Sequence, residues 1–308
     1  VTIGPTSNDI TSIQRFAKTT DLFRLNGSHG DLKWHGRVIK EIRRIHPEAF
    51  ILLDIPGVKP RSKNLKPIKI KYKQRVTFGA SKKTDDTLFI ELTKPLPVLK
   101  EKPQTFSIND GQHLFNCLDY GDDFIIGESS SNFTLLPRKG INIPNAIYDE
   151  ELQYKIYDQF IQATKNFEID ALGLSFVQTG RIIDRVREIT PNILLISKIE
   201  NTEGLRTYRD IVTSSDAIMI DRGDLAAEIG FDFLFDAIIT VADQTKAHGK
   251  PLIMATENLE TMLERELPSK SEVISISHST SIGVDCFMLS EETATSDFGL
   301  QTVTWLHN

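Results

Sequence analysis

Two cysteines in 308 residues, Cys117 and Cys286, are too few for a disulfide framework, and Cys286 sits inside an apolar run. That usage fits a reducing cytoplasm. The sequence shows no signal peptide and no apolar stretch of about 18 residues, so nothing in it targets or spans a membrane. Basic charge is not in surplus. Lys and Arg total 36 against 42 Asp and Glu, a net charge of −6 that gives no encouragement to nucleic-acid binding. The seven histidines show no HxxxH or HExxH spacing, which argues against zinc. Neither GxGxxG nor GxxxxGK[ST] occurs, so any nucleotide is held by other means. An initiator Met is also missing: Val1-Thr2-Ile3 reads as the tail end of a first strand, with a few residues expected before it.

An apolar content of 40% with 25% charged residues is ordinary for a globular chain, and 308 residues can bury a large core as one barrel or two smaller domains. Apolar runs alternate with helix-like segments almost from end to end. Strands are predicted at 1–3, 21–25, 50–53, 170–174, 193–197, 216–220, 251–254 and 285–289. Helices are predicted at 8–18, 32–46, 149–166, 179–189, 203–213, 232–248, 269–282 and 298–307. Eight strand–helix repeats joined by short connections specify an α/β fold, a (β/α)8 TIM barrel. Ser7 or Asn8 is placed to cap the first helix, and Thr179 and Asp232 to open later ones. The rhythm breaks between Ser62 and Lys139, where short alternating runs such as Ile68-Lys69-Ile70 and Arg75-Val76-Thr77-Phe78 are separated by Gly, Pro and Asp. This reads as a small all-β lid domain, 62–139, inserted after strand three of a barrel formed by 1–61 and 140–308. The basic run from Lys59 to Arg75 suits a polyanion, or better a solvated strand face beside a phosphate site.

The densest chemistry lies in Asn192–Leu205. Ile193-Leu194-Leu195-Ile196 is a continuous apolar run, as in a strand covered on both faces, and Ser197, Lys198, Glu200, Asn201 and Glu203 follow at once. In parallel α/β folds the chemistry sits at the C-terminal ends of strands. Taken alone, the segment also suits a charged turn capping the next helix, but the layout recurs. Arg24-Leu25-Asn26-Gly27-Ser28-His29-Gly30 offers an open turn and a planar guanidinium for phosphate. Strand three ends in Asp54, with Lys59 and Arg61 beyond it, and strand four in Ser175-Phe176. Strand six runs into Asp221-Arg222-Gly223-Asp224, a glycine turn opening a helix whose N-terminus favours anions. Strand seven ends in Ala255-Thr256-Glu257 and strand eight in Ser290-Glu291-Glu292-Thr293. Glu200 and Asp224 come from adjacent strands and can each give one oxygen to a hard divalent ion such as Mg²⁺.

Together these segments resemble the pyruvate kinase family. The carriers are Thr2-Ile3-Gly4-Pro5, RLNGSHG at 24–30, LLDIPGVKPR at 52–61, SKIENTEGL at 197–205, DRGDLAAEIG at 221–230, ATENLETM at 255–262 and DCFMLSEETA at 285–294, all in the family's order. The resemblance spans nearly the whole chain as catalytic barrel plus a more weakly matched lid. Because the sequence stops in the barrel's last helix, the family's C-terminal regulatory domain and its allosteric sugar-phosphate site are not expected in it. The resemblance implies a Mg²⁺-dependent (or Mn²⁺-dependent) phosphotransferase that moves phosphate from phosphoenolpyruvate to ADP, giving pyruvate and ATP. The barrel helices leave room for a homo-oligomer.

By that resemblance Glu200 and Asp224 hold the metal, and Lys198 stabilises the phosphoryl group in flight. Thr256 lies near the enolate carbon and is implicated in its protonation, while Arg24 and Arg61 face phosphate. Pro5, Asn26 and His29 match nucleotide contacts, and Asp110-Gly111 and Lys139-Gly140 match lid segments that close over the nucleotide, with Asn109 where a first Asp is usual. Gly223 belongs to the turn that receives the carboxylate of phosphoenolpyruvate. Ser175, Phe176 and Ser290 complete the substrate rim with Asp224 and Thr256.

Several residues depart from the family. Of the groups that hold K⁺ in many members, Asn26, Ser28 and Asp54 remain, but the Thr is Ile55 and a nearby Glu is Lys59. An ammonium at Lys59 stands in for the monovalent cation, as in the family's K⁺-independent branch, so K⁺ is not expected to be required. Pro56 replaces a Lys, Gln178 an Arg, Asp221 an Ala, Glu291 a Gly and Thr295 a Lys near the nucleotide. Extra acids at an anion-binding rim weaken phosphoenolpyruvate or ADP binding unless a cation offsets them. Two other readings stay open: a barrel using the same Mg²⁺–enolate site on a pyruvate-like keto acid, as a lyase does, and a non-catalytic relative.

Overall fold

Parallel pairing dominates the chain, because short βα and αβ connections return each strand beside the last. The computed structural model describes residues 1–80 and 87–307. Residues 81–86 of the expected lid and Asn308 of the expected barrel lie outside the described residues. One curled sheet of seven strands runs in the order Leu22–Asn26, Phe50–Ile55, Ala171–Leu174, Leu194–Ile199, Ala217–Asp221, Leu252–Ala255 and Cys286–Met288. The strand expected at 1–3 is corrected to a single parallel bridge between Thr2 and Arg24. Gly4-Pro5 follows directly, and proline brings no N–H to extend a ladder. Thr2 N also donates to Leu289 O at 3.1 Å, so this one residue joins the first and last strands of the sheet and completes an α/β barrel.

Side chains alternate along each strand, and the alternation sorts the core into two layers. Leu52, Ala171, Ile196, Ala217, Met219, Ile253, Ala255 and Met288 cluster inside the barrel, whereas Leu53, Leu172, Leu195, Ile218, Ile220 and Met254 pack outward with the helices. The inward series continue to the rim as Ile196-Lys198-Glu200 and Ala217-Met219-Asp221, so the same period that buries the core aims the charged groups into the barrel mouth. Gly173 belongs to the inward set, because a Cβ there would strike Asp54 Oδ1.

The helices follow expectation with local corrections. Asp9, not Ser7 or Asn8, caps Ile10–Phe16, its carboxylate accepting from Ser12 N. Ser7 and Asn8 instead bond back to the Gly4-Pro5 backbone. The expected helix at 203–213 is two, Thr202–Arg206 and Tyr208–Ser214, divided at Thr207, whose hydroxyl donates to Gln178 O. Thr179 stands at the N-cap of Gly180–Ile189, but its hydroxyl goes to Glu150. The helix expected at 232–248 is Phe231–Ala247, and Gly230 rather than Asp232 stands at its N-cap.

Between the second and third barrel strands the chain builds a six-stranded and a two-stranded sheet. The larger is mostly antiparallel and ends in Ile141–Asn142, which pairs with Thr105–Ile108. Its core is a ring cluster of Phe78, Phe106 and Phe115 with centroids 5.2–5.8 Å apart. Phe176 from the barrel rim packs into the same apolar cluster, so this unit rests directly on the barrel mouth.

Candidate active site

Lys198 lies in the strand Leu194–Ile199, in register with Met219, and Glu200 follows one residue beyond the Ile199–Ile220 pair that aligns this strand with Ala217–Asp221. Lys198 Nζ lies 2.9 Å from Glu200 Oε2 and 3.0 Å from Asp221 Oδ2, with Lys198 only 6% exposed. Burial opposes the ammonium, but the two carboxylates outweigh it and hold the Lys198 pKa above its ordinary value. Burial pushes Glu200 up to about 8 against the pull of Lys198. Glu200 Oε1 accepts from Phe176 N at 2.6 Å. Glu200, Asp221 and Asp224 each bring an oxygen within 4.8 Å of the others. That donor set fits a hard divalent ion, which prefers carboxylate oxygen.

Asp224 lies in the first turn of the helix Arg222–Ile229, a helix absent from the sequence-based expectation beyond the note that this turn opens one. Its Oδ1 is held by Lys59 Nζ and, at 3.0 Å, by Asn142 Nδ2. Lys59, 3% exposed, also donates to Asp110 Oδ1 at 2.8 Å. Burial works against the charge of Lys59, yet Asp110 and Asp224 raise its pKa. Lys59 was expected beside Asn26, Ser28 and Asp54, but its hydrogen bonds run to the Asp224 side of the mouth. Asp54 instead pairs with Arg24, which donates to Asp54 Oδ2 through Nε at 2.9 Å and Nη2 at 2.6 Å, and to Thr2 Oγ1 through Nη1 at 3.0 Å. Asn26 Oδ1 accepts from Ser28 N.

Thr256 adopts φ +61°, a left-handed conformation uncommon for a residue with a branched side chain. Arg222 secures it, donating to Thr256 O through Nη2 at 2.6 Å and to Asn258 Oδ1 at 2.9 Å. The Thr256 hydroxyl accepts from Gly223 N at 3.0 Å and lies 3.1 Å from Asp221 Oδ1, to which it donates. Thr256 thus joins the Gly223 turn to the carboxylate cluster. Ser175 and Phe176 are fixed from beneath: Gln153 Nε2 donates to Phe176 O at 2.6 Å, and the Tyr157 hydroxyl donates to Ser175 O. Phe176 is also left-handed, at φ +62°, with Lys59 Nζ 5.8 Å above its ring.

The remaining expected residues fall in two places. His29, Arg24, Arg61, Arg138 and Lys139 form one electropositive region: burial lowers the His29 pKa first, and those four cations lower it further. Arg61 reaches Arg138 O where the chain enters and leaves the inserted sheets, and Gly140 packs there on the Lys59 stem. Pro5 is exposed, and its carbonyl accepts from Asn8 Nδ2 at 3.0 Å. Asn109 and Asp110 are left-handed at φ +61° and +52°, and Gly111 packs against Ala227 of the helix Arg222–Ile229. Ser290 N donates to Glu292 Oε2 at 2.7 Å, so Ser290 is tied to its own turn. Glu291 and Thr295 are exposed, and the Thr295 hydroxyl donates to Glu291 O. Gln178 is buried and exchanges hydrogen bonds with the Tyr148 backbone at 2.9 Å in both directions, a structural role for the residue in the Arg position.

Sequence reasoning missed Asn142, Arg222, Gln153 and Tyr157 as supports of the site. The sequence marks Asp221 only as added charge, although its place two residues after Met219 gives its direction. The comparisons agree with the geometry. A family model described as "Pyruvate kinase, barrel domain" matches residues 1–303. The chain is 32% identical to the cytosolic isozyme of pyruvate kinase from Nicotiana tabacum over 95% of its own length and 61% of that protein's. It is 29% identical to the pyruvate kinase of Thermococcus litoralis over 98% of its length and 66% of that protein's. A crystal structure of a pyruvate kinase from Cryptosporidium parvum superposes with a TM-score of 0.86 at 30% identity, covering 99% of this chain and 66% of that one. The chain spans about three fifths of the tobacco relative it matches, and it belongs to the pyruvate kinase family.

Proposed function

We propose that the chain transfers phosphate from phosphoenolpyruvate to ADP, forming pyruvate and ATP, in the cytosol. The observation that carries this reading is the convergence of Lys198, Glu200, Asp224 and Thr256 at one rim of the barrel. Phosphoryl transfer asks mainly for positioning and charge neutralisation. Glu200 and Asp224 would hold Mg²⁺ or Mn²⁺, which when bound supplies charge neutralisation to phosphoryl and enolate oxygens. Lys198, kept cationic, donates N–H to the phosphoryl oxygens as the bond from the enol oxygen breaks and the bond to the ADP oxygen forms. The backbone of Gly223, at the start of a helix, receives the substrate carboxylate. Thr256 orients that turn and stands beside the carbon that takes up a proton. Phe176 and Tyr148, in edge-to-face contact at 5.2 Å, exclude water from this end. Residues 62–139 act as the lid over the barrel, with Asp110 and Lys139 closing over a nucleotide whose phosphates lie near Arg61 and His29. Lys59 supplies the cationic charge that makes K⁺ unnecessary, and the barrel helices offer faces for a homo-oligomer.

The test is direct: chain, phosphoenolpyruvate, ADP and Mg²⁺ are mixed, and ATP is followed by luciferase while pyruvate is followed through lactate dehydrogenase. Stoichiometric appearance of both is expected; pyruvate without ATP, or neither, refutes the reading. One observation favours a keto-acid lyase as second reading: Thr295 supplies no cation on the nucleotide side. Exchange of the methyl protons of pyruvate for deuterium without any ATP formation would select it.

A further inference from the structure

Asp221 is the acid at the barrel mouth that the family resemblance does not account for, since Ala is usual there. It is buried, and its carboxylate points into the same space as Glu200 and Asp224 because Ala217, Met219 and Asp221 share the inward face of their strand. We propose that Asp221 is a third carboxylate ligand of the divalent ion, so that this chain holds the ion through three protein oxygens before any substrate arrives. The inference rests on the proposed reading of Glu200 and Asp224 as metal ligands.

Three observations carry it. The three oxygens lie within 4.8 Å of one another, a span that small rotations close to the roughly 3–4 Å separating oxygens on one small octahedral ion. Glu200 Oε2 is buried and, among the described residues, has no polar partner beyond its ion pair with the Lys198 ammonium at 2.9 Å, which is shared with Asp221 at 3.0 Å. Positive charge is therefore already held where these oxygens converge. The charges also match: once a bound cation keeps them ionised, Glu200, Asp221, Asp224 and Asp110 set four carboxylates against the two ammoniums of Lys198 and Lys59, an excess of two negative charges. Arg222 and Glu257 at the edge of the group offset each other. Asp221 Oδ1 stays with the Thr256 hydroxyl, while Oδ2, now facing Lys198, turns to the ion. Lys198 is then released from Glu200 and Asp221 toward the substrate phosphoryl group, so metal binding and the aim of the lysine are one event.

The test needs no substrate. Mn²⁺ affinity is measured from the EPR signal of free Mn²⁺, and the waters on bound Eu³⁺ are counted from luminescence lifetimes in H₂O and D₂O, for the wild-type chain and Asp221→Asn. Asn is expected to weaken Mn²⁺ about tenfold or more and to admit about one additional water to the bound Eu³⁺. A change under about threefold, or a weaker affinity without the added water, overturns the proposal, because the second result leaves Asp221 acting by charge alone. Asp221→Ala, which also removes the buried charge, replaces Asn if that variant does not fold by circular dichroism. If these binding results hold while no ATP is formed, the kinase reading fails and this inference stands; ATP formation with unchanged Mn²⁺ binding in Asp221→Asn gives the reverse.

Discussion

Lys198 is charged because two acids hold it so, and this is what makes it useful: a buried ammonium keeps its proton only where carboxylates outweigh desolvation. Lys198→Met is expected to lower kcat by roughly 100-fold or more, while phosphoenolpyruvate binding changes modestly, since an in-flight contact is worth most in the transition state. Steady-state kinetics with calorimetric binding of phosphoenolpyruvate checks this, and a loss under about tenfold contradicts the role. Glu228 is the complementary case. It is buried on the helix Arg222–Ile229, and burial raises its pKa from 4.5 to about 8. A carboxyl raised in this way binds protons in the folded chain that the unfolded chain has already released, so it costs stability as pH climbs from 4.5 toward about 8. Glu228→Gln should therefore gain in Tm over the wild type through that window and level off above it, in scanning calorimetry with EDTA present. A difference constant with pH would show that its burial is not linked to a proton.

At the scale of elements, Lys59 is where three of them meet: the loop after Phe50–Ile55, the turn of the inserted sheet at Asp110 and the helix bearing Asp224. The Asp110 side chain is 57% exposed, which limits its pair with Lys59 to about 0.5–1 kcal/mol. A double-mutant cycle of Lys59→Met and Asp110→Asn on unfolding free energy is expected to return that coupling, and zero coupling would mean that the inserted sheet is not tied down here. The elements themselves were largely legible. Strands such as Ala217–Asp221 are buried at every position, so they read as continuous apolar runs, and the amphipathic helices Leu32–Ile45 and Gly180–Ile189 read from their 3.6-residue period. What failed to show was tertiary in origin. The break at Thr207 comes from a hydroxyl bonding to Gln178 O, and the reduction of 1–3 to one bridge comes from Pro5. Asn142, on the edge strand of the inserted sheet, reaches Asp224 across 82 positions of sequence, with no local pattern to announce it.

For the whole molecule, the site is a balance of charges gathered from many elements, and the sequence revealed its members better than their partners. Lys198, Glu200 and Asp224 could be placed at one mouth because strand ends in a barrel share a rim. Their pairings depend on which way long side chains turn, and there the expectation for Lys59 needed the structure. Lys59 neutralises Asp224 and Asp110, while Arg24 neutralises Asp54. Both acidic centres of the mouth therefore carry built-in cations, and an added monovalent ion has less charge left to offset. Turnover is accordingly expected to change by less than about threefold when Na⁺ replaces K⁺ at constant ionic strength, whereas a fall of about tenfold or more would show that K⁺ is part of the site. Lys59→Glu removes one cation and adds one anion at 3% exposure, so it should lower activity in Na⁺ and recover part of it in K⁺. Rates for both chains across a K⁺ titration decide between a lysine that replaces the ion and one that only fastens the inserted sheet to the barrel, because the second predicts loss of activity with no recovery.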